Sequence, residues 1–379
     1  MNITVTEDDL MLSDALQRFC QEVIAPAAAE IDENSLSATC HLPALSEIGI
    51  MGMNLPEAYG GTGVSAVSLY LAVEHLAAAC GSTASMVTAH FLACDSILLG
   101  GTEAQKQAWL PDAAVGRKLG GFALTEPSAG SNPAAMRTVA EKTEHGYRIS
   151  GVKHFISNAA EADFLVVYAK TDKSAGHRGI SAFIVDRHSA GVEVSSPERT
   201  MGLKGGHVFE VALDCEVPTE NLLGGEEGKG FRTAMNVLDN GRVEIAASCT
   251  GIARAAYQAA LFWAKTREVN DHPIAEFQGL QWMIADMATD LEAARMFGLK
   301  AATKRELGER FSQESAMAKL YASEAAGRIT DKALQIHGGY GYTREMPLER
   351  YVRDVRIMRI YEGSSEVQRN IIARTVLQD

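Results

Sequence analysis

One acidic residue near the end of the chain has the sequence context of a proton-transfer group. Glu362 lies between Tyr361 and Gly363 and follows the apolar residues of the segment 357–361. A carboxylate in apolar surroundings has a raised pKa and can act as a base toward a carbon acid. The alternative is that Glu362 is simply one of 48 acidic residues and is solvated at the surface. Composition alone favours that alternative, since perturbed functional carboxylates are the exception.

A glycine-rich turn precedes this glutamate. Gly338, Gly339 and Gly341 interrupt the polar segment that separates two helix-like stretches. Because glycine has no Cβ, such a turn brings backbone N–H groups close to a ligand. The turn and the glutamate together predict a ligand site in the last fifth of the chain.

The segment from Gln335 to Arg374, QIHGGYGYTREMPLERYVRDVRIMRIYEGSSEVQRNIIAR, resembles the C-terminal signature of the acyl-CoA dehydrogenase family. In that family a QI-x-GG-x-G turn contacts FAD, and the glutamate of a YEG triplet is the catalytic base. The resemblance implies that Glu362 is the catalytic base, that Gly363 lets substrate pass close to it, and that Arg374 lies near CoA. It also implies FAD contacts from both ends of the segment, by Gln335, Gly338, Gly339, Ser364, Ser365 and Glu366.

A second motif ends a predicted strand in the middle of the chain. The sequence TEPSAGSN, residues 125–132, is a Gly/Ser turn that offers hydroxyl and backbone donors. It resembles the TEP-x-AGSD motif of the family, with Asn132 in place of the usual Asp. The match implies that the following residues contact FAD, the last of them also facing CoA: Phe122, Leu124, Thr125 and Ser131.

A third motif, GVKHFISN at residues 151–158, resembles the family's G-x-K-x-W-I-T-N strand beside the flavin. Phe155 replaces the commoner Trp and Ser157 replaces Thr. An aromatic face and a hydroxyl group are both retained, so ring packing and a hydrogen bond to FAD are expected. Together with QIHGGYGY, this pattern favours the isobutyryl-CoA-like branch of the family.

The segment Asp239–Arg242 resembles the family's D-x-x-R, whose residues meet the pantetheine and adenine parts of CoA. Asp239 and Arg242 are therefore predicted to bind substrate, Arg242 by contacting phosphate or stacking on adenine. Some relatives carry their base at the glutamate of a D-x-E-R version. The corresponding residue here is Gly241, which leaves Glu362 as the candidate base.

The segment REVNDHPIAEFQ, residues 267–278, resembles R-x-x-FG-x-PI-x-x-FQ. The resemblance implies that Arg267 and Gln278 reach the FAD of a neighbouring subunit. Asn270 and Asp271 depart from the family's Phe-Gly pair. Two interpretations remain open: the pair weakens FAD binding or the dimer contact, or it forms a polar surface turn.

The composition excludes several classes of protein. The 379 residues have a net charge of −13, which disfavours binding to nucleic acid or to an anionic membrane. Six scattered cysteines without a C-x-x-C pair indicate reduced thiols and no metal site, as in a cytoplasmic protein. The acidic first residues do not resemble a secretory or transit peptide, and no apolar run reaches 18 residues, so no membrane span is expected.

Hydrophobic periodicity divides the chain into three predicted domains: helical at 1–119, β at 120–228, and a helical bundle at 229–379. Apolar helices are expected at 65–80 and 84–99, a helix interruption at Pro26, and a capping box from Thr102 to Gln105. The strands expected are 121–125, 164–169, 180–185 and 207–213. The C-terminal helices expected are 231–266, 278–306, 312–336 and 355–377. The resemblance implies an α+β fold of the acyl-CoA dehydrogenase type, with a barrel-like β domain and a four-helix bundle.

By this resemblance the protein is an FAD-dependent acyl-CoA dehydrogenase that oxidises a short or short-branched acyl-CoA to the trans-2-enoyl-CoA. Glu362 takes the α-proton, and hydride passes to the flavin. The expected partner is an electron-transfer flavoprotein, the expected assembly a homotetramer, and the expected pathways fatty acid metabolism and branched-chain amino acid catabolism.

Alternatives of other kinds are also open. The same fold serves as an oxidase, desulfinase or reductase on an unusual CoA or carrier-protein thioester. A dicarboxylyl or sulfinyl substrate would need a buried cation, and the segment 81–100 contains neither Arg nor Lys. A flavin-free, non-catalytic protein is the third possibility. His90, within that segment, is expected to be a hydrogen-bonded helix histidine in preference to a catalytic one.

Overall fold

The computed structural model describes Ile3 and residues 5–378. The N-terminal domain is helical, as predicted. Two helices begin with a capping box, formed by Thr6 with Asp9 and by Thr102 with Gln105. The second of these boxes confirms the helix start predicted at Thr102. The helices are α1 (Glu7–Phe19), α2 (Ala28–Asn34), α3 (Leu42–Glu47), α4 (Ala66–Ala79), α5 (Gly81–Gly100) and α6 (Glu103–Ala114).

Pro26 does not interrupt the first helical segment as sharply as predicted. The chain passes from α1 through a π-helical turn, Cys20–Ile24, into a 3-10 turn that contains Pro26, and then into α2. Proline lacks an N–H, but its fixed φ suits the first turn of a new helical segment. The path therefore stays helical to Asn34.

Helices α4 and α5 lie in the core of the molecule, as their apolar sequences predict. Helix α5 is long and apolar enough to cross a membrane by length and composition, although it contains no uninterrupted apolar run of 18 residues. Most of its residues are buried inside the protein, including His90 and Asp95. A buried helix of a folded core accounts for this composition, because its surroundings are other helices.

The β domain is a seven-stranded sheet between the helical regions. Its strands run in the order β1-β4-β2-β3-β7-β6, with β5 paired to β4. All four predicted strands are present, and the motif at 151–158 lies in a strand as well. The strands are β1 (Gly120–Ala123), β2 (Val139–Lys142), β3 (Gly146–Ser157), β4 (Phe164–Lys170), β5 (Ile180–Asp186), β6 (Val192–Val194) and β7 (Val208–Pro218).

The C-terminal region returns to helix, but its fourth helical segment differs from the prediction. Three long helices match the predicted spans, whereas 355–377 is two helices separated by the turn that carries Glu362. Positive φ at Glu362 and Gly363 stops a helix there. The elements are α7 (Gly230–Thr266), β8 (Glu268–Val269), β9 (His272–Pro273), α8 (Gln278–Glu306), α9 (Ser312–His337), α10 (Leu348–Arg356) and α11 (Ser365–Val376).

Helix α7 joins the two helical regions into one core. It packs against α4 and α5 on one side and against α8 and α9 on the other. Its small buried residues, such as Ala246, Ala253 and Ala260, allow these neighbours to approach closely. The site residues of α7 and of the turn before α11 are therefore held by a continuous packed interior.

Candidate active site

Glu362 lies in a tight turn that the protein fixes from several directions. Its φ is 52° and that of Gly363 is 90°, so both residues are in the left-handed region. The Gln368 side-chain amide donates to the carbonyl oxygens of Glu362 and Gly363, at 3.2 and 2.8 Å. The Lys319 ammonium donates to the same Gly363 oxygen at 2.7 Å. A Cβ at Gly363 would lie 2.6 Å from the Gln368 amide nitrogen, so the turn requires glycine here.

The Glu362 carboxylate faces the glycine of the D-x-x-R segment. Its Oε2 atom is buried and has no hydrogen-bond partner among the described residues. A Cβ placed on Gly241 would collide with this oxygen and would lie 2.7 Å from the Leu92 side chain. Gly241 therefore leaves room for the carboxylate, and the two positions singled out as alternative sites for a base are neighbours in space.

The surroundings of Glu362 suit a general base. Burial raises the pKa of Glu362 to about 7, while the nearby charges of Lys319 and Arg242 act to lower it. A base whose pKa lies near neutrality combines a useful ionised population with a strong affinity for the transferred proton. The residue as a whole is half-buried although Oε2 is not accessible.

Arg242 lies beside this base and not at an open surface. Its side chain is buried and forms an ion pair with Asp239, which in turn accepts a hydrogen bond from the Ser312 hydroxyl. The expected stacking of Arg242 on adenine or its contact with phosphate does not fit this placement, because a guanidinium enclosed by the protein cannot reach such groups. Its charge instead acts on Glu362.

The TEPSAGSN turn is anchored to strand β3 by a buried ion pair. Lys153 Nζ lies 2.9 Å from Glu126 Oε1 and donates to the Leu124 carbonyl at 3.1 Å. Glu126 also accepts hydrogen bonds from two backbone N–H groups. The Leu124 side chain is buried, so only its backbone remains for the predicted FAD contact. Thr125 is half-buried, and Ser131 is exposed at the outer part of the turn.

Phe155 is presented by an irregularity in β3. The register of β3 on β7 shifts between Lys153 and Ile156, and Phe155 has φ 57°. Its ring is 59% exposed and stacks on His154, with centroids 4.1 Å apart and an interplanar angle of 3°. The backbone N–H of His154 donates to the Thr125 carbonyl, which brings this motif next to the TEPSAGSN turn.

The other residues of these two motifs lie close by. Ser157 is half-buried at the end of β3. Phe122 in β1 is half-buried and packs against Tyr168, with ring centroids 5.2 Å apart. The aromatic and hydroxyl groups predicted for the flavin site are thus gathered on neighbouring strands, with an exposed ring at the bulge.

A separate cavity of about 430 Å³ lies at the far end of α7. Arg267, Gly338 and Gly339 line it together with Trp263 and His337, whose rings are stacked with centroids 5.0 Å apart. A Cβ at either glycine would meet nothing within 4 Å, so the space above this turn is open. The predicted residues Gln335 and Gln278 are exposed and do not line the cavity.

The residues that depart from the family pattern form a two-residue hairpin turn. Asn270 and Asp271 join β8 to β9, with φ values of 53° and 62°. A two-residue hairpin requires positive φ at both central positions, and Asn and Asp tolerate that region better than most residues. Both residues are exposed. This geometry fits the polar surface turn, the second of the two interpretations.

The start of α11 offers fewer side-chain groups for binding FAD than the sequence predicted. Ser364 caps the helix by accepting from the Val367 N–H. The Ser365 side chain is buried and donates to Glu324 at 2.8 Å, so its hydroxyl does not point outward for the predicted cofactor contact. Glu366 and Arg374 are exposed, at opposite ends of the helix.

Sequence reasoning missed the two buried lysines and found His90 in its expected role. Lys319 lies on the apolar face of α9, three residues from both Ala316 and Ala322. A lysine at this spacing among apolar positions could have indicated burial.

The Nδ1 atom of His90 accepts a hydrogen bond from the Gly120 N–H, and its Nε2 atom lies 3.2 Å from the Ala113 carbonyl oxygen. It is therefore a structural histidine that joins α5 to β1 and to the end of α6.

Comparison with known protein families covers nearly the whole chain. Residues 6–117 match the acyl-CoA dehydrogenase N-terminal domain, 121–215 the middle domain and 228–377 the C-terminal domain. The chain belongs to the acyl-CoA dehydrogenase family. It is accordingly an oxidoreductase that acts on CH–CH bonds and uses FAD, and its predicted fold is confirmed.

Individual relatives match over all or nearly all of their length. The short-chain specific acyl-CoA dehydrogenase of Clostridium acetobutylicum is 39% identical and each chain is covered completely. The acryloyl-CoA reductase (NADH) of Anaerotignum propionicum is 40% identical, with 100% of this chain and 96% of the relative covered. Butyryl-CoA dehydrogenase of Megasphaera elsdenii superposes with a TM-score of 0.97 at 39% identity, with complete coverage of both chains.

Proposed function

We propose that the protein dehydrogenates a short-chain acyl-CoA to the trans-2-enoyl-CoA, with Glu362 as the base that takes the α-proton. The observation that carries this proposal is the buried, unpartnered Oε2 of Glu362, which faces the side-chain-free Gly241. Burial of a polar atom without a hydrogen bond is costly, and such atoms are concentrated at functional sites. An approaching carbon acid would supply the missing partner.

The residues present fit FAD at two places. The first is the pair of β-domain motifs, where Phe155 exposes a ring and Thr125, Ser131 and Ser157 offer hydroxyl groups. The second is the cavity beside the open Gly338-Gly339 turn, with the Arg267 cation for a phosphate group. We assign the first to the reactive part of FAD and the second to the FAD of a neighbouring subunit.

The chain's own residues prepare the proton transfer. Lys319 and Gln368 fix the carbonyl groups of the turn, so that the carboxylate holds its orientation toward Gly241. The charges of Lys319 and Arg242 keep part of the Glu362 population ionised at neutral pH. FAD, when bound, supplies the acceptor for the β-hydrogen as hydride. Gly241 of α7, which is buried, faces Oε2 of the carboxylate, with the buried Leu92 of α5 beside it, and this limits the access of water to that oxygen.

The relatives support the substrate length. The Clostridium acetobutylicum relative is described as short-chain specific, and the Megasphaera elsdenii structure as a butyryl-CoA dehydrogenase. We propose a linear or branched acyl group of about this size, isobutyryl-CoA among the candidates because of Phe155 and the QIHGGYGY turn. The corresponding pathways are fatty acid metabolism and branched-chain amino acid catabolism.

An electron-transfer flavoprotein is the partner that fits this reaction. A chain in the structure described as the electron transferring flavoprotein of Acidaminococcus fermentans is 42% identical to this one, with a TM-score of 0.97. We further propose a homotetramer in the cytoplasm. The exposed aromatic side chains of Phe262 on α7 and Trp282 on α8, at 69% and 64% exposure, support burial against another copy.

A second candidate function is the reverse reaction. The Anaerotignum propionicum relative is described as an acryloyl-CoA reductase, and it matches as closely as the dehydrogenases do. In that direction Glu362 would return a proton to the α-carbon of an enoyl-CoA. The direction depends on the electron partner, so supplying reduced or oxidised partner to the same holoenzyme distinguishes the two.

The test of the leading function is anaerobic bleaching of the flavin band by butyryl-CoA, isobutyryl-CoA and octanoyl-CoA. We expect the two short thioesters to bleach it, and Glu362→Gln to slow bleaching by a factor on the order of 10³, because general-base catalysis contributes about that much. Glu193→Gln, at an exposed position of β6, is the matched control and should bleach at the wild-type rate. A Glu362→Gln holoenzyme that bleaches at full speed would refute Glu362 as the base.

A further inference from the structure

The residue that follows Ser157 has a left-handed backbone conformation. Asn158 has φ 64° and comes directly after β3, whose last paired residue, Ser157, lies opposite Val208 of β7. The buried Asn158 side chain donates to the Met86 carbonyl of α5 at 2.9 Å and to the Gly120 carbonyl of β1 at 3.4 Å. The end of β3 is therefore held between the helical N-terminal domain and the sheet.

Three residues close a circle of hydrogen bonds around this point. The Asn158 N–H donates to the His207 carbonyl at 3.2 Å, and the Glu161 N–H donates to the Asn158 carbonyl at 3.0 Å. The circle closes through the His207 ring, whose Nδ1 atom lies 3.3 Å from Glu161 Oε1. The Nε2 atom of the same ring lies 3.0 Å from the Ser35 carbonyl oxygen, directly after α2. One imidazole thus joins the end of β3 to the N-terminal domain.

Both nitrogen atoms of the His207 ring face groups that only accept hydrogen bonds. A carbonyl oxygen has no proton to donate, and neither has an ionised carboxylate. Glu161 is ionised at neutral pH: burial acts to raise its pKa, but the hydrogen bonds from His207 and Ser37 lower that pKa below its usual value. An imidazole that donates from both nitrogen atoms carries two protons and a positive charge.

Glu161 is the charged group that acts on the His207 ring among the described residues. The hydrogen bond to Glu161 raises the pKa of His207 above its usual value, while burial acts in the opposite direction. The other groups packed against the ring are uncharged, namely the Ser35 carbonyl and the Phe209 ring, whose centroid lies 6.1 Å away. Oε2 of Glu161 is buried without a hydrogen-bond partner in the described part of the chain, so the imidazolium compensates this carboxylate.

We propose that His207 is a positioning residue for FAD, which holds the end of β3 in place while its ring is protonated and releases it when the ring loses a proton. This inference rests on the proposed function, which assigns the reactive part of FAD to the motif that ends at Asn158. A neutral imidazole keeps one N–H, so it gives up either Glu161 or the Ser35 carbonyl and turns a lone pair toward an acceptor. The circle then opens beside Ser157, whose hydroxyl is one of the groups offered to the cofactor.

The direction of the pH dependence follows from the charge of the ring. Folding raises the pKa of His207 above 6.5, so the contribution of the closed circle is fully present below pH 6.5 and is lost as the pH rises through the raised value. FAD contacts the end of β3 in the proposed arrangement. Its affinity should therefore be high at acidic and neutral pH and should fall at alkaline pH.

The experiment dilutes the full-length holoenzyme at pH values from 5 to 9 and obtains the Kd of FAD from the fluorescence of the released cofactor. We expect Kd to rise about tenfold from pH 6 to pH 9, because a hydrogen bond to a charged group contributes roughly this factor. His207→Lys carries a cation that stays charged over this range and should bind FAD tightly throughout. His207→Gln is neutral and should bind FAD weakly throughout.

Two further variants separate the charge of His207 from a general effect of substitution. Glu161→Gln removes the carboxylate that raises the pKa of His207, so the rise in Kd should begin at a lower pH. His145→Gln, in the exposed turn between β2 and β3, is the matched control and should keep the wild-type pH dependence. Thermal melting of each holoenzyme checks that the variants are folded.

The outcomes distinguish this inference from the proposed function. Equal pH dependence of Kd in the wild type and in His207→Lys would overturn the role of His207, and so would tight binding by His207→Gln at every pH. Either result leaves the proposed function intact as long as butyryl-CoA bleaches the flavin. A wild-type flavin that no thioester bleaches would refute the proposed function, whereas the dilution series would still decide whether the charge of His207 holds FAD.

Discussion

Two buried lysines hold the two turns of the site, and they do so in different ways. Lys153 and Lys319 are both fully buried, and each donates to a backbone carbonyl of a site turn. Burial lowers the pKa of each to about 8. Lys153 also has a carboxylate partner, Glu126, at 2.9 Å. Lys319 has no such partner at contact distance among the described residues, and its charge acts instead on the unpartnered Glu362.

The difference teaches how one residue type can serve stability in one place and chemistry in another. In the β domain the charge of Lys153 is paired with that of Glu126, and this ion pair holds the TEPSAGSN turn in place. Beside the base, the charge of Lys319 is left uncompensated, so it tunes a carboxylate that must remain free to take a proton. Four changes test this contrast.

The largest effect on stability should come from Lys153→Met. Removing one partner of a buried ion pair leaves Glu126 buried and uncompensated, which typically costs about 3–5 kcal/mol. Denaturant unfolding of the variant measures this loss. The double variant Lys153→Met/Glu126→Gln should recover part of it, because the remaining group is neutral. A loss below about 1 kcal/mol for the single variant would show that the pair is not an anchor.

Glu362→Gln should make the protein more stable at alkaline pH. Folding raises the pKa of Glu362 from 4.5 to about 7, so the folded state binds the proton more tightly than the unfolded chain. The contribution of this group is fully present below pH 4.5 and is lost as the pH rises through 7. The variant should therefore exceed the wild type by about 2–3 kcal/mol at pH 8 and by little at pH 5. Equal stability at both pH values would contradict this.

Lys319→Met should move the pH dependence of flavin reduction. The charge of Lys319 lowers the pKa of Glu362, so its removal raises that pKa, and the rising limb of the rate–pH profile shifts upward. An opposite charge a few ångströms away shifts a pKa by roughly one unit or more. Stopped-flow bleaching across pH 5–9 measures the shift. Lys153→Met is the matched control, and a displaced profile in that variant would remove the proposed contrast between the lysines.

The smallest effect is expected at a turn without any lysine. Asp271→Val places a β-branched residue at φ 62°, which costs on the order of 1–2 kcal/mol. Asp271→Gly should be neutral within about 0.5 kcal/mol. Thermal unfolding of both variants, followed by their flavin content, separates strain in the hairpin from loss of cofactor. A colourless Asp271→Gly protein would favour a direct role of Asp271 in FAD binding.

Much of the fold could be predicted from the sequence because its signals are local. The apolar periodicity of α4 and α5, the β-branched strands and the Thr102 capping box each depend on a few neighbouring residues. The break before α11 was missed because Ile357–Tyr361 is compatible with helix. The turn at Glu362 is stabilised by the side chain of Gln368, six residues further on, and by that of Lys319, which helix α9 brings from 44 residues before Gly363.

The candidate site was only partly predictable for a related reason. Glu362 and Gly241 could be singled out by motif, and the structure places them together. The sequence does not distinguish a buried lysine from a solvated one. The roles of Lys153 and Lys319 depend on their burial, which the neighbouring residues in the sequence do not indicate. Arg242 shows the converse, since a residue expected to meet CoA is enclosed by the fold beside the base.

The length of helix α7 has a consequence for the smallest active unit. Gly241, beside the base, lies a third of the way along this helix of 37 residues, and Arg267, at the cavity, directly follows its last residue. At 1.5 Å per residue they are about 39 Å apart along its axis, further than one flavin dinucleotide can reach. In the arrangement that we propose, one chain would therefore contribute to two different flavin sites. On that proposal a complete site combines the base-bearing part of one copy with the cavity of another, and we expect an isolated monomer to bind FAD more weakly than the assembly does.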